Sequence, residues 1–226
     1  MNGECITTVC NEALHLLPER ALWWRERATL LIADLHFGKA ATLRAHGIPV
    51  PRGSSSATLA RLDALLKLYP IQRIVFLGDF LHARRSRSDA TLSALRAWRQ
   101  RHDALQLQLV LGNHDRHAGA PPQDLRIEAV EEPLVMEPFA LRHLPMAAPD
   151  HYVIAGHLHP SVRLHGRGHE SVQLPCFVFG ATVAVLPAFG ELTGTSAIKA
   201  QSGQRVFACA GERVFAVPAI DETTDC

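Results

Sequence analysis

Residues 109–115 read Leu109-Val110-Leu111-Gly112-Asn113-His114-Asp115. An apolar run ends on a glycine, which lets the chain turn sharply, and an amide, an imidazole and a carboxylate follow at once. Three further runs end in the same way. Leu30-Leu31-Ile32-Ala33 leads into Asp34-Leu35-His36, Ile74-Val75-Phe76-Leu77 into Gly78-Asp79, and Tyr152-Val153-Ile154-Ala155 into Gly156-His157-Leu158-His159. Short continuous apolar runs are the pattern of strands buried on both faces. Open α/β sheets bind ligands beyond the carboxyl ends of their strands, so Asp, Asn and His delivered there form a metal-site constellation.

The flanking sequence supplies the frame. Residues 14–17 and 22–24 predict a hairpin about Pro18-Glu19-Arg20. A helix is expected over 37–46, stopped by Gly47 with Pro49 and Pro51 beyond. Ser54, Ser55 and Ser56 offer N-caps for a helix to Tyr69, with Leu59, Leu62, Leu65 and Leu66 at helical spacing. Asp89 offers a cap for a helix to His102, with Leu92, Leu95 and Trp98 on one face. Strands over 73–77 and 105–111 alternate with these helices, which implies parallel pairing through right-handed crossovers. The second half has short apolar runs broken by Pro and Gly and reads as β. The expected fold is α/β, an α/β/β/α sandwich of two mixed sheets flanked by helices. A single domain over 1–219 is expected, with an acidic, frayed tail at 220–226.

The 226 residues, 47% of them apolar, can bury a full core. The opening Met1-Asn2-Gly3-Glu4-Cys5 lacks a basic region followed by an apolar one, and no apolar run approaches a membrane span. Cys5, Cys10, Cys176, Cys209 and Cys226 are scattered and form no CxxC pair, which fits reduced thiols and a cytoplasmic protein. The net charge of +1 is unevenly spread. Residues 1–116 hold 16 Lys/Arg against 10 Asp/Glu, and residues 117–226 hold 7 against 12. The basic half carries three of the four strand-tip motifs, an arrangement that favours an anionic substrate.

Asp34, His36, Asp79, Asn113, His157 and His159 are six candidate ligands, and His143 is a seventh. Oxygen and imidazole donors without cysteine suit manganese, iron or zinc, not a structural thiolate site. The set is too large for one ion, and two ions sharing one carboxylate is the economical solution. Such a pair clamps phosphate oxygens and activates water for in-line attack. His143 is preferred to His151 because it falls near the end of an apolar run, as the other ligands do.

Taken in order, these motifs resemble those of the calcineurin-like metallophosphoesterases. The resemblance implies that Asp34, His36 and His159 hold one ion, that Asn113, His143 and His157 hold the other, and that Asp79 bridges. It implies that His114 is the catalytic histidine, protonating the leaving oxygen, with Asp115 orienting it. The finer pattern includes Asp34-Leu35-His36-Phe37-Gly38-Lys39, Gly78-Asp79-Phe80-Leu81-His82, Gly156-His157-Leu158-His159-Pro160 and Pro187-Ala188-Phe189-Gly190-Glu191-Leu192-Thr193-Gly194. It is similar to the ligase-associated DNA damage response endonucleases, a bacterial group that accompanies a ligase, an exonuclease and a helicase. That resemblance implies manganese-dependent cleavage of single-stranded or flexible DNA in repair. A phosphatase or nucleotide hydrolase with the same site, and a non-catalytic repair scaffold, are the alternatives.

Substrate contacts are expected from His82, Arg84, Arg85 and Arg87 after the bridging Asp79, and from Lys39 and Arg116 beside other motifs. Phe189, in a Gly/Pro-rich loop, is a candidate to stack a base, against the plainer reading of a buried anchor. Of Trp23 and Trp24, one is expected in the core and one in a surface or partner contact. His15, His46, His102, His117, His165 and His169 read as surface or loop residues.

Overall fold

Strands β4 (Thr29–Ile32), β5 (Arg73–Leu77) and β6 (Gln106–Val110) lie side by side and parallel, and their side chains divide cleanly between two apolar faces. Leu30, Ile32, Ile74, Phe76, Leu107 and Leu109 pack under helices, whereas Leu31, Val75, Leu77 and Val110 face a second sheet. Side chains alternate across a strand, so continuous apolar runs are what a sheet buried on both faces requires. The computed structural model describes residues 3–50, 53–166 and 170–218. The predicted tail and His169 lie outside them.

The first sheet continues from β4 through β3 (Ala21–Trp24), β2 (Glu12–Leu17) and β1 (Cys5–Val9), all antiparallel, and beyond β6 to the parallel β7 (Glu128–Val130). The second sheet has at its centre β9 (Phe139–Leu141), β10 (Tyr152–Ala155) and β13 (Val183–Val185), all parallel. It extends through β8 (Leu134–Met136) on one side and β11 (Pro160–His165), β12 (Ser171–Phe179) and β14 (Ser196–Ala197) on the other. The antiparallel pair β15 (Arg205–Ala210) and β16 (Arg213–Val217) joins along β12. This is the expected two-sheet sandwich. The described α-helices all lie between residues 39 and 118. The outer face of the second sheet packs against Ile198 and Ala200.

The helices over the first sheet are α1 (Lys39–Ala45), α2 (Ser54–Leu68) and α3 (Asp89–Arg101), and a short α4 (Asn113–Ala118) begins at the tip of β6. Leu59, Leu62 and Leu65 of α2, with Leu95 and Trp98 of α3, bury the helical stripe read from the sequence. The caps are shifted by one residue from those predicted. Gly53, at φ 98°, is the N-cap of α2, and the three serines lie inside the helix. Ser88, not Asp89, caps α3, its hydroxyl accepting from the Thr91 amide at 3.3 Å.

Two further expectations are corrected. Trp23 and Trp24 are both buried, one under the helices and the other between the sheets, because this sheet has no solvent face. His15 on β2 is buried and lies 3.5 Å from Glu4 rather than on the surface. No described helix is long and apolar enough to cross a membrane. Cys5, Cys10, Cys176 and Cys209 are free thiols.

The cap assignment makes a stability prediction. Ser88→Ala removes an acceptor from a helix N-terminus and is expected to cost about 0.5–2 kcal/mol. Ser56→Ala, at an exposed position inside α2, is expected to be neutral or slightly stabilising because alanine is the better helix former. Urea denaturation of the two variants measures both, and an equal loss would return the α2 cap to the serines.

Candidate metal centre

Every strand-tip motif arrives at one place. β4, β5 and β6 deliver Asp34 and His36, Asp79, and Asn113 from the first sheet; β9 and β10 deliver His143, His157 and His159 from the second. The centre therefore lies across the two sheets at the carboxyl ends of their parallel strands.

The backbone bends hard to reach it. Ten described residues other than glycine have positive φ, and Asp34, His36, Asp79, His157 and His159 are five of them, at 55°, 47°, 52°, 73° and 48°. Left-handed backbone costs L-residues roughly 1–2 kcal/mol each, so such clustering points to a functional constraint. The glycines of the motifs make room for the ligands. A Cβ at Gly78 would come within 2.2 Å of His143 Nδ1, and one at Gly112 within 2.4 Å of Asp79 Oδ1.

Three sets of ligand-type atoms form among the described residues, each within 4.8 Å: Asp34, His36 and His159; Asp79, His143 and His157; and His36, His82 and His114, which shares His36 with the first. In the first, His159 Nε2 lies 3.5 Å from Asp34 Oδ1, and its Nδ1–H is given to the Gly194 carbonyl at 3.1 Å. Asp34 Oδ1, His36 Nε2 and His159 Nε2 are buried and have no hydrogen-bond partner. In the second, His143 donates Nδ1–H to the Leu77 carbonyl at 3.1 Å, which leaves its Nε2 lone pair facing Asn113 Oδ1 at 2.8 Å and His157 Nδ1 at 2.9 Å. Asp79 reaches both of these sets, with Oδ2 3.7 Å from His36 and Oδ1 3.5 Å from His143.

Buried ligand-type atoms without a partner are costly, and divalent cations are groups that satisfy them. The donor set thus fits two ions. Burial, then Lys39 and the imidazoles of His114, His159 and His82, pushes His36 down to about 2 and so keeps it a neutral donor. Burial and His143 lower His157. Burial raises the Asp79 carboxyl, the charge of Asp34 adding to it against the pull of His143.

His114 stands beside the ligands. Its Nδ1–H goes to the His82 carbonyl at 2.7 Å, which turns Nε2 inward, 3.9 Å from Asp79 Oδ2. The expectation that Asp115 orients His114 is corrected here. Asp115 is buried and accepts from the Leu81 amide at 3.1 Å and the Gly112 amide at 3.0 Å, so it braces the turn, and the His82 carbonyl orients His114. Burial raises its carboxyl to about 6 against the pull of those amides.

The substrate candidates separate. His82 stacks on His114 with ring centres 4.9 Å apart, and burial with Lys39 and His114 lowers it to about 4. Lys39 is partly buried beside His36. Arg84 and Arg85 are exposed, and neither side chain has a bonding partner among the described residues. Three candidates are otherwise employed. Arg87 donates to the Ala120 carbonyl at 2.7 Å and fastens the end of α4. Arg116 forms a two-point ion pair with Glu131. Phe189 is fully buried and offers no face to a base. His151 pairs with Glu137, away from the centre.

Sequence reading missed Glu132, whose carboxylate accepts from the His143 and Leu144 amides at 2.9 and 3.1 Å. It lies outside every motif and carries no local signal.

Asp115→Asn keeps one acceptor but turns an NH2 toward a backbone N–H, with an expected loss of about 1–3 kcal/mol. Urea denaturation of metal-free protein measures it, and an unshifted midpoint would remove Asp115 from the support of the turn.

Comparison with known proteins agrees with this geometry. Residues 28–177 match the family model described as calcineurin-like phosphoesterase. The fold is similar to the crystal structure of nuclease MPE from Pseudomonas putida, with 44% identity, 95% of this chain and 100% of that one covered, and a TM-score of 0.85. A protein of unknown function, AQ665 from Aquifex aeolicus, matches at 18% identity over 62% of this chain and 82% of its own, with a TM-score of 0.39. No curated protein matches. With motifs, geometry and family model in agreement, the chain belongs to the calcineurin-like phosphoesterases, hydrolases of phosphoesters that use a two-metal site.

Proposed function

We propose that the protein is a manganese-dependent endonuclease that cuts single-stranded or flexible DNA in repair, alongside a ligase, an exonuclease and a helicase. The observation that carries this reading is the 44% identity, over 95% of the chain, to a protein described as a nuclease. The DNA-repair motifs quoted above and the two free arginines beside the centre support it. Oxygen and imidazole donors suit manganese.

Asp34, His36 and His159 hold one ion; Asn113, His143 and His157 hold the other; Asp79 lies between. Two divalent ions bound there supply charge for the phosphate oxygens and an activated water. The protein's own part is orientation and proton supply. His114 presents Nε2 to the leaving oxygen while the His82 carbonyl fixes its other nitrogen. Arg84 and Arg85, with Lys39 nearer the ligands, take the flanking phosphates.

The purified protein is expected to cut a single-stranded oligonucleotide with manganese and to be inert in EDTA. His114→Ala is expected to lose about 10²–10⁴-fold in cleavage while binding the same number of ions. Hydrolysis of phosphomonoesters alone would sink the DNA assignment, and absence of metal binding would sink the two-ion site. The double variant Arg84→Ala/Arg85→Ala is expected to weaken single-stranded DNA binding and to flatten the log–log salt slope by about 0.7 per lost contact. An unchanged slope places the DNA path elsewhere.

A further inference from the structure

The chain after β13 crosses from the second sheet to the first as a strap over residues 188–194. Its Phe189 and Gly190 amides donate to the Ala33 and Asp34 carbonyls at 2.8 and 3.1 Å. Gly190 sits so close that an added Cβ would lie 2.4 Å from the Leu35 carbonyl oxygen, between Asp34 and His36. Thr193 Oγ1 donates to the Gly190 carbonyl at 2.7 Å, and Gly194 ends the strap by accepting Nδ1–H of His159. One segment thus braces the Asp34–His36 turn and aims the His159 ring.

What fixes the strap is on α2. The Arg61 guanidinium lies over the Phe189 ring, 4.0 Å from its centre, and donates to both the Phe189 carbonyl and the Glu191 carboxylate. Arg20 approaches the same carboxylate at 3.7 Å. Stacking on a ring while serving two acceptors needs the planar fork of arginine, which lysine cannot reproduce. In the other ligand set the His157 amide donates to Asp34 Oδ2 at 2.8 Å, but the His143 ring has supports of its own. His143 is held by the Leu77 carbonyl and by Glu132, neither of which belongs to the strap.

We propose that Arg61 is a positioning residue for one of the two metal positions: through the strap it sets the affinity of the Asp34–His36–His159 set and leaves the Asn113–His143–His157 set untouched. This rests on the two-ion assignment above. Groups that orient ligands change metal affinity by about 10–100-fold when removed.

Calorimetric titration of metal-free protein with manganese tests it without reference to activity. Wild type is expected to take two ions. Arg61→Ala is expected to retain one affinity and to weaken the other by about 10–100-fold, with Arg61→Lys and Glu191→Gln intermediate. Leu65→Ala, a buried position on the same helix, controls for lost stability and is expected to lower the urea midpoint with both affinities kept. Two unchanged affinities in Arg61→Ala, or an equal fall in both, overturns the proposal. If Arg61→Ala does not fold, the same split must appear in Arg61→Lys and Glu191→Gln, and its absence there also overturns it. Fewer than two ions on wild type instead refutes the ligand assignment, and the proposal with it.

Discussion

The centre is organised around a repulsion. Asp34 and Asp79 are buried carboxylates, and the imidazoles of His36, His143, His157 and His159 turn ring nitrogens into the same small space. With one ring nitrogen of His143 and of His159 on a backbone carbonyl, Asp34 Oδ1, His36 Nε2 and His159 Nε2 stay buried without a partner. Left to itself, a chain would splay them apart. The frame holds them together, and bound cations would offset the cost. The strained turns are the local signature of that confinement. Five candidate ligand residues sit in left-handed backbone, and glycines stand where a Cβ would collide with a neighbouring candidate. Such strain persists only where surrounding packing over-determines the conformation.

Packing does so because the ligands come from two sheets pressed face to face. Leu31, Val75, Leu77 and Val110 on one side meet Phe139, Leu141, Ile154 and Phe179 on the other directly beneath the centre. Backbone bonds then tie the tips together. The amides of Asp34 and His36 donate to the Gly78 and Asp79 carbonyls, and Leu186 donates to Ala155 before the strap crosses to Ala33 and Asp34. The metal positions therefore inherit the rigidity of the sandwich rather than of any one loop.

This division explains what could be read from the sequence. The parallel strands were legible because burial on both faces leaves unbroken apolar runs, and the seven candidate ligands were legible as a group because each follows such a run at a turn. The supports were not. Carbonyls of Leu77, His82 and Gly194 orient three histidines, and a carbonyl has no residue identity to recognise. Arg61 and Glu191 are 130 positions apart, with no spacing to betray the pair. Trp24 was ambiguous for a related reason: adjacent residues on a strand face opposite ways, and only the existence of a second sheet makes both ways inside. The helix caps slipped because Gly53 supplies positive φ, and Ser88 rather than Asp89 supplies the acceptor, choices that depend on backbone geometry.

The charge pattern changes meaning in the same light. The first half of the chain is basic by composition, yet several of its cations are structural. Arg61 holds the strap, Arg87 ties off α4, and Arg116 is neutralised by Glu131. Buried or paired guanidinium groups are already committed, so they add little to the attraction of a distant polyanion. What remains near the centre is local: Lys39 at the start of α1 and the unpaired Arg84 and Arg85 on the turn that packs between α1 and α4. The acidic residues that follow β7 are committed as well: Glu131 is paired with Arg116, and Glu132 lies 3.8 Å from Arg142 and accepts from the His143 amide. The uncommitted charge near the metal centre is therefore cationic and lies toward α1. A phosphodiester chain entering such a field has one favourable side on which to lay its backbone, and that asymmetry comes from which arginines the fold leaves free, not from how many it contains.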